Sequence, residues 1–303
     1  LILVAGKGHE EYQIYKKKII KFSDKNIIKE VKIKFKNLNS KEQNFFQNRL
    51  ALTHILEKKN WLKFNGLSID TRRIQKDNLF LAIKGKKCDG STFINSALKK
   101  GAGCVVTSST PITKNKKILK VKNTTVFLNR LAKYKRKLTS AKIIAVTGSA
   151  GKTSLKNLIK NLLQSFGKTH YSPKSFNNQL GVPISLSNLS YNDKFGVFEV
   201  GMSRAGEIKK LSKLIKPHIG VITNIGEAHI ENFKNISGIA KAKSEIIENI
   251  KPGGTIILNR DDKFFYYLFK KAKAFRINTL TFGVHKKADI CLKKITKKDN
   301  STK

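Results

Sequence analysis

The stretch Thr147-Gly148-Ser149-Ala150-Gly151-Lys152-Thr153-Ser154 sets two glycines, a lysine and hydroxyl residues at a spacing that suits phosphate. Glycines let a chain turn tightly and bring backbone N–H groups up to phosphate oxygens, and a helix beginning there adds its positive end. Lys152 is placed to reach the terminal phosphates of a nucleotide, and the Thr153 hydroxyl to sit on the accompanying Mg²⁺. The general eight-residue motif has glycine where this chain has Val146, so the match is to a shortened G-x-x-G-K-T form. The expectation is ATP, held by Gly148, Ser149, Ala150, Gly151, Lys152, Thr153 and Ser154. A glycine turn of no function would need neither the Lys-Thr pair nor the flanking strand and helix.

Other residues able to do chemistry lie further along. Glu199 closes an apolar run, where a carboxylate is costly unless it meets a cation. His229 stands in Glu227-Ala228-His229-Ile230-Glu231, and Lys241 and Lys243 share one helical stretch. Asn259 opens Asn259-Arg260-Asp261-Asp262, a composition that a strand-end turn would also use. Nearer the start, Ser68-Ile69-Asp70-Thr71-Arg72 follows a short apolar run and is ordinary loop chemistry that can also meet an anion.

The elements that must position these residues read as α/β. Apolar runs at 67–69, 79–83 and 104–106, with helices at 93–100 and 125–138, predict a small α/β unit over 49–140. In the second helix Val126, Leu131, Tyr134 and Leu138 define the expected buried face. A second unit over 141–303 begins with a buried strand at 143–146, the glycine loop, and a helix carrying Leu155, Leu158, Ile159, Leu162, Leu163 and Phe166. Strand runs at 196–200, 220–223, 255–258 and 279–282 alternate with helices near 205–215, 237–250 and 262–273. That order predicts a doubly wound, mostly parallel sheet. Residues 14–36 read as a helix and 37–48 as a polar linker.

Length and composition bound the rest. A chain of 303 residues with 40% hydrophobic residues can bury more than one core. No apolar run approaches the ~20 residues of a membrane span, and the first residues lack the features of a signal peptide, so a cytoplasmic, monomeric protein is expected. Cys88, Cys104 and Cys291 have no metal-knuckle spacing and read as reduced thiols. The formal net charge of +42 is spread along the chain as lysines, not clustered, which favours a solvated surface over a specific nucleic-acid site. Such a field can also steer anionic nucleotides.

In order along the chain, the shortened loop, Asn177-Asn178-Gln179-Leu180-Gly181-Val182-Pro183, Glu199-Val200-Gly201-Met202 with Gly206-Glu207-Ile208, and the segment 224–233 resemble the motifs of the Mur ligases. Among them the pattern is similar to the branch that adds D-alanyl-D-alanine to UDP-N-acetylmuramoyl-tripeptide. The branch that adds diaminopimelate or lysine carries a Thr-Thr-Pro stretch absent here. The resemblance implies a ligase that activates the tripeptide carboxylate with ATP to an acyl phosphate, which the dipeptide amine then attacks. It implies Mg²⁺ ligands at Thr153, Glu199, His229 and Lys243, with Lys243 carbamylated, and a catalytic group of Lys152, His229 and Lys243. It further implies Asn259 against adenine, and Ser68, Arg72 and Asn178 on the nucleotide-sugar substrate. Residues 4–13 resemble the C-terminal end of the diaminopimelate-adding branch, so residues 1–36 read as a remnant of another ligase. The third domain of these ligases is expected to be missing. Another member of the superfamily, of the diaminopimelate-adding or folylpolyglutamate type, or a nucleotide-binding module without turnover, remains the alternative.

Overall fold

The computed structural model describes residues 12–15, 18–21, 39–56, 62–85, 88–110, 115–174, 176–293, 297–298 and 301–302. The glycine turn at residues 6–8 and most of the stretch read as a remnant lie outside these. Where that stretch is described, it differs from the helix expected from residue 14. Strands β1 (Tyr12–Tyr15) and β2 (Lys18–Lys21) pair antiparallel.

Residues 40–48, expected as linker, belong to helix α1 (Ser40–Leu56). Its inward positions are Asn44, Asn48, Ala51, Leu52 and Ile55, a helical spacing whose first two members are amides. They are buried because each is bonded. Asn48 Nδ2 donates to Phe64 O at 2.8 Å, and Asn44 Oδ1 accepts from Ser190 Oγ at 3.1 Å.

Two parallel sheets follow. The small one runs β3 (Leu67–Ser68), β4 (Leu79–Ala82), β5 (Cys104–Thr107) and β6 (Ile118–Lys120) in that order, with α2 (Ile94–Lys99) between β4 and β5. Helix α3 (Thr124–Leu138) covers it, capped at its start by Asn123, whose side chain accepts from Val126 N. Its inward face is Phe127, Leu128, Leu131 and Ala132; Val126, expected to be buried, is 52% exposed.

The large sheet contains β7 (Lys142–Thr147), β8 (Thr169–Tyr171), β9 (Phe195–Glu199), β10 (Ile219–Ile222), β11 (Thr255–Asn259), β12 (Asn278–Gly283) and β13 (Ile290–Cys291), ordered β13-β12-β11-β10-β7-β9-β8 and parallel throughout. The chain leaves β7 on one side for β8 and β9 and returns on the other for β10. This reversal makes the C-terminal end of β7 the switch point, where α/β sheets open a crevice. Helix α4 (Lys152–Gln164) starts at that crevice. Leu155, Ile159 and Leu163 face the sheet over Ile144, Val146 and Val197, while Leu158, Leu162 and Phe166 are 60%, 68% and 70% exposed. The other face is covered by α5 (Gly181–Ser187), α6 (Glu207–Ile215), α7 (Ile236–Ser244) and α8 (Phe265–Ala274), burying Val182, Phe198, Ile208, Ile239 and Leu268.

The two units are joined by short helix α5. Val182 and Leu186 sit in the large core and Ile184 in the small one. At its end Asn188 binds both backbone groups of Leu67, accepting from Leu67 N at 2.7 Å and donating to Leu67 O at 3.0 Å. A side-chain amide thus takes the place of a further strand beside β3.

Candidate active site

The glycine loop follows β7 as expected. Gly148 has φ +148, and a Cβ there would overlap the Thr223 hydroxyl, so only glycine fits. The loop is braced by β10's continuation: Ala150 N donates to Asn224 Oδ1 at 3.0 Å, Ser149 N to Asn224 O at 3.0 Å, and Thr223 Oγ1 to Ala150 O at 2.6 Å. Ser149 Oγ exchanges hydrogen bonds with Gly226, donating to its O and accepting from its N. Lys152 folds back over the loop, its Nζ 2.8 Å from Gly148 O and 3.1 Å from Ser149 O. Burial lowers its pKa and the Glu199 charge opposes that shift.

Glu199 is 1% exposed at the end of β9. Its Oε2 accepts from Thr153 Oγ1 at 2.8 Å and its Oε1 from Asn177 Nδ2 at 2.8 Å. Beneath it lies Lys156, one turn beyond Lys152 on α4 and 1% exposed, with Nζ 3.5 Å from Glu199 Oε2 and 2.6 Å from Lys174 O. Neither Lys156 nor Asn177 was assigned a role from sequence: one is hidden among 62 basic residues, and the other is a motif member whose partner only the fold reveals. A carboxylate and a hydroxyl side by side are the oxygen donors a hard divalent cation takes, so Thr153 and Glu199 fit Mg²⁺.

Lys243 is 3% exposed on α7, whereas Lys241 points to solvent. Burial first, and the Lys152 ammonium second, push Lys243 down to about 8. Lys152 and Lys243 therefore share one environment, and among the described residues no carboxylate pairs with Lys243.

His229 stands apart. It holds a left-handed conformation (φ 62), its side chain is 50% exposed, and the contact recorded for it is Glu231 Oε1 at 3.7 Å. The structure does not bring it against Lys243 or Glu199. Asn259 ends β11 and folds the next turn, its Oδ1 accepting from Asp261 N at 3.0 Å. Asp262, unremarked in sequence, ties that turn to the loop by accepting from Ile225 N at 2.7 Å. Glu207 and Glu245 secure the start of α6, through Ser203 N at 2.7 Å and Gly206 N at 2.7 Å.

In the small unit Ser68 Oγ donates to Asp70 O at 2.9 Å and so folds the turn that carries Arg72. Arg72 binds Asp70 through Nε at 3.0 Å and Nη2 at 2.9 Å and holds its carboxyl down at about 2. Beside them Arg72, Phe80, Cys88 and Phe93 line a cleft of about 480 Å³. Asn178 Oδ1 accepts from Gly181 N at 2.8 Å at the start of α5.

Residues 146–303 match the Mur ligase middle domain, and residues 63–143 match the catalytic domain of the Mur ligase family. The chain belongs to the Mur ligase family. As a Mur ligase it is 40% identical over 226 residues to the UDP-N-acetylmuramoyl-tripeptide--D-alanyl-D-alanine ligase of Buchnera aphidicola subsp. Acyrthosiphon pisum, covering 75% of this chain and 49% of that one. The Rickettsia prowazekii enzyme of the same name is 37% identical over 241 residues, covering 79% and 54%. Crystal structures of MurF agree in fold. The Acinetobacter baumannii protein superposes with TM-score 0.71 at 29% identity, covering 82% of this chain and 55% of that one. The Thermotoga maritima protein, in complex with ADP, gives TM-score 0.66 at 30% identity, covering 78% and 54%. The chain spans about half the length of the relatives it matches.

Proposed function

We propose that this chain is the nucleotide- and substrate-binding portion of a ligase that joins D-alanyl-D-alanine to UDP-N-acetylmuramoyl-tripeptide at the expense of ATP. The observation that carries the ATP reading is the braced loop with Lys152 held over it. Its amides and the α4 N-terminus make a positive concavity at the switch point of the sheet. On nucleotide binding Lys152 exchanges the carbonyls of Gly148 and Ser149 for phosphate oxygens. The D-alanyl-D-alanine specificity rests on the likeness to relatives of that name.

Thr153 and Glu199 would hold Mg²⁺, which supplies charge neutralisation between the nucleotide phosphates and the substrate carboxylate. Asn177 and Lys156 fix the carboxylate of Glu199 from the other side. Burial lowers Lys243 toward neutrality and so enlarges the share of free amine that carbamylation requires: the ammonium loses one proton, the freed nitrogen attacks CO₂ and loses a second, and an anion replaces a cation. His229 joins the same site if the loop carrying it turns inward when substrate is bound. The Arg72 cleft takes the anionic nucleotide-sugar end, with Ser68 shaping its turn and Asn178 beside the passage between units.

Mg-ATP titrated calorimetrically into this chain tests the nucleotide part: Lys152→Ala should weaken binding at least about tenfold, the loss of one charge-assisted contact. Equal affinity in wild type and variant would exclude the loop as the site. ADP release on the full-length gene product that needs both UDP-N-acetylmuramoyl-tripeptide and D-alanyl-D-alanine tests the reaction, and release indifferent to the dipeptide would exclude it.

A further inference from the structure

A second crevice, of about 510 Å³, opens at the far end of the large sheet from the phosphate loop. Strands β8 and β9 begin there, at Thr169 and Phe195, whereas the loop follows the C-terminal end of β7 in the same parallel sheet. Its walls come from both units, α1 and α3 on one side and the β8 edge with the end of α5 on the other.

Those walls carry more cation than anion, with Lys135 and Lys168 beside one lining carboxylate, Asp193. Lys135 is 7% exposed on α3, and the single hydrogen bond recorded for its Nζ is to Asn48 Oδ1, at 3.0 Å. An ammonium has three N–H groups, so two are left over. Lys168 brings a second ammonium to the mouth, 3.8 Å from Asp193 Oδ1.

Most of the side-chain acceptors are already taken, and the remaining carboxylate oxygen, Asp193 Oδ1, faces the Lys168 ammonium. Asp193 Oδ2 accepts from Ser190 N at 2.6 Å, Asn44 Oδ1 from Ser190 Oγ at 3.1 Å and Tyr191 N at 3.2 Å, and Asn188 Oδ1 from Leu67 N at 2.7 Å. A buried ammonium met by a neutral amide and by the field of a carboxylate that other donors occupy is under-compensated. Unspent ammonium donors lining a roomy, part-enclosed space, in excess over the one carboxylate there, are what an anion needs and what an apolar ligand cannot use.

We infer that this crevice binds a small oxyanion of the phosphate class, held by the Lys135 and Lys168 ammonium groups. The volume falls in the range of small-molecule sites, so a phosphate monoester with a modest organic part fits as well as the free ion. Because both units supply walls, the bound anion also fastens α1 and α3 to the β8 edge.

Inorganic phosphate titrated into the Lys152→Ala chain at fixed ionic strength tests this, since that change disables the nucleotide loop. Saturable binding should persist there and weaken about tenfold or more when Lys135→Met is added. Lys168→Ala should cost roughly threefold, and Lys137→Ala, on the solvent side of α3, nothing. The Lys168 change alters little packing, so it decides the matter even where Lys135→Met fails to fold. Phosphate binding that disappears with Lys152→Ala alone, or that survives Lys168→Ala undiminished, overturns the assignment.

Discussion

Thr153 Oγ1 donates to Glu199 Oε2 at 2.8 Å, joining the first turn of α4 to the end of β9. The same carboxylate oxygen lies 3.5 Å from the Lys156 ammonium, itself sealed from water. Glu199→Gln should therefore do two separable things. It should leave Lys156 unpaired and lower stability by about 3 kcal/mol, the usual effect of breaking a buried pair. It should also abolish the gain in ATP affinity on adding Mg²⁺. Denaturant unfolding reads the first and calorimetry with and without Mg²⁺ the second; an unchanged Mg²⁺ dependence would remove Glu199 from the cation site.

Lys243 and Lys241 are two residues apart on α7, one buried and one in water. In the full-length gene product Lys243→Ala should depress turnover far more than ATP affinity, with partial rescue by added short-chain carboxylates. Lys241→Ala should be nearly silent, because a solvated lysine contributes little. Steady-state kinetics of the two variants decide it, and damage by Lys241→Ala with normal Lys243→Ala turnover would reverse the assignment.

The two loop glycines are not equivalent. Gly148 faces the Thr223 hydroxyl, whereas nothing lies within 4 Å of a Cβ at Gly151, which needs only its φ of +77. Gly151→Ala should cost about 1 kcal/mol of stability. Gly148→Ala should cost about 3 kcal/mol and weaken ATP by tenfold or more, by pushing the loop off Thr223. Thermal unfolding and nucleotide titration of both variants check this; equal losses would mean that crowding at Thr223 is immaterial.

His170 packs against Phe198, and burial pushes its pKa down from 6.5 to about 4. Between those values the unfolded chain holds a proton that the folded chain does not, so stability falls as pH drops from about 6.5 to about 4. The loss at the acid end is on the order of 3 kcal/mol. His170→Gln, measured by urea unfolding across that window, should flatten the slope; an unaltered slope would place the acid sensitivity elsewhere, with His218 the next group to change.

What could be read directly from the sequence follows from what dominates each position. Strands β4, β5, β7, β9 and β10 are mainly apolar and buried on both faces, which leaves little ambiguity; they and the less buried β11 and β12 fell within one or two residues of their observed ends. Helix α1 was hidden because its inward face opens with Asn44 and Asn48, which burial tolerates only through partners far away in sequence. Leu158, Leu162 and Phe166 misled in the opposite sense, being apolar and exposed. The phosphate loop was legible since its chemistry is local. The support of Glu199 was not, as Lys156 looks like any other lysine until the fold sets it beneath the carboxylate. The resemblance singled out Lys243 over Lys241, and the fold buries the first and exposes the second. His229, taken for a ligand, lies in solvent in this conformation.

The amide of Asn188 reaches Leu67 across 121 positions of sequence. During synthesis the first strand of the small sheet leaves the ribosome long before the residue that satisfies its outer edge, so that edge stays open while more than a third of the chain is still being made. The earlier unit is thus completed by the later one, and the two should lose structure in a single cooperative transition. Asn188→Leu, which removes the surrogate strand, would let β3 exchange its amide hydrogens and fray ahead of the rest.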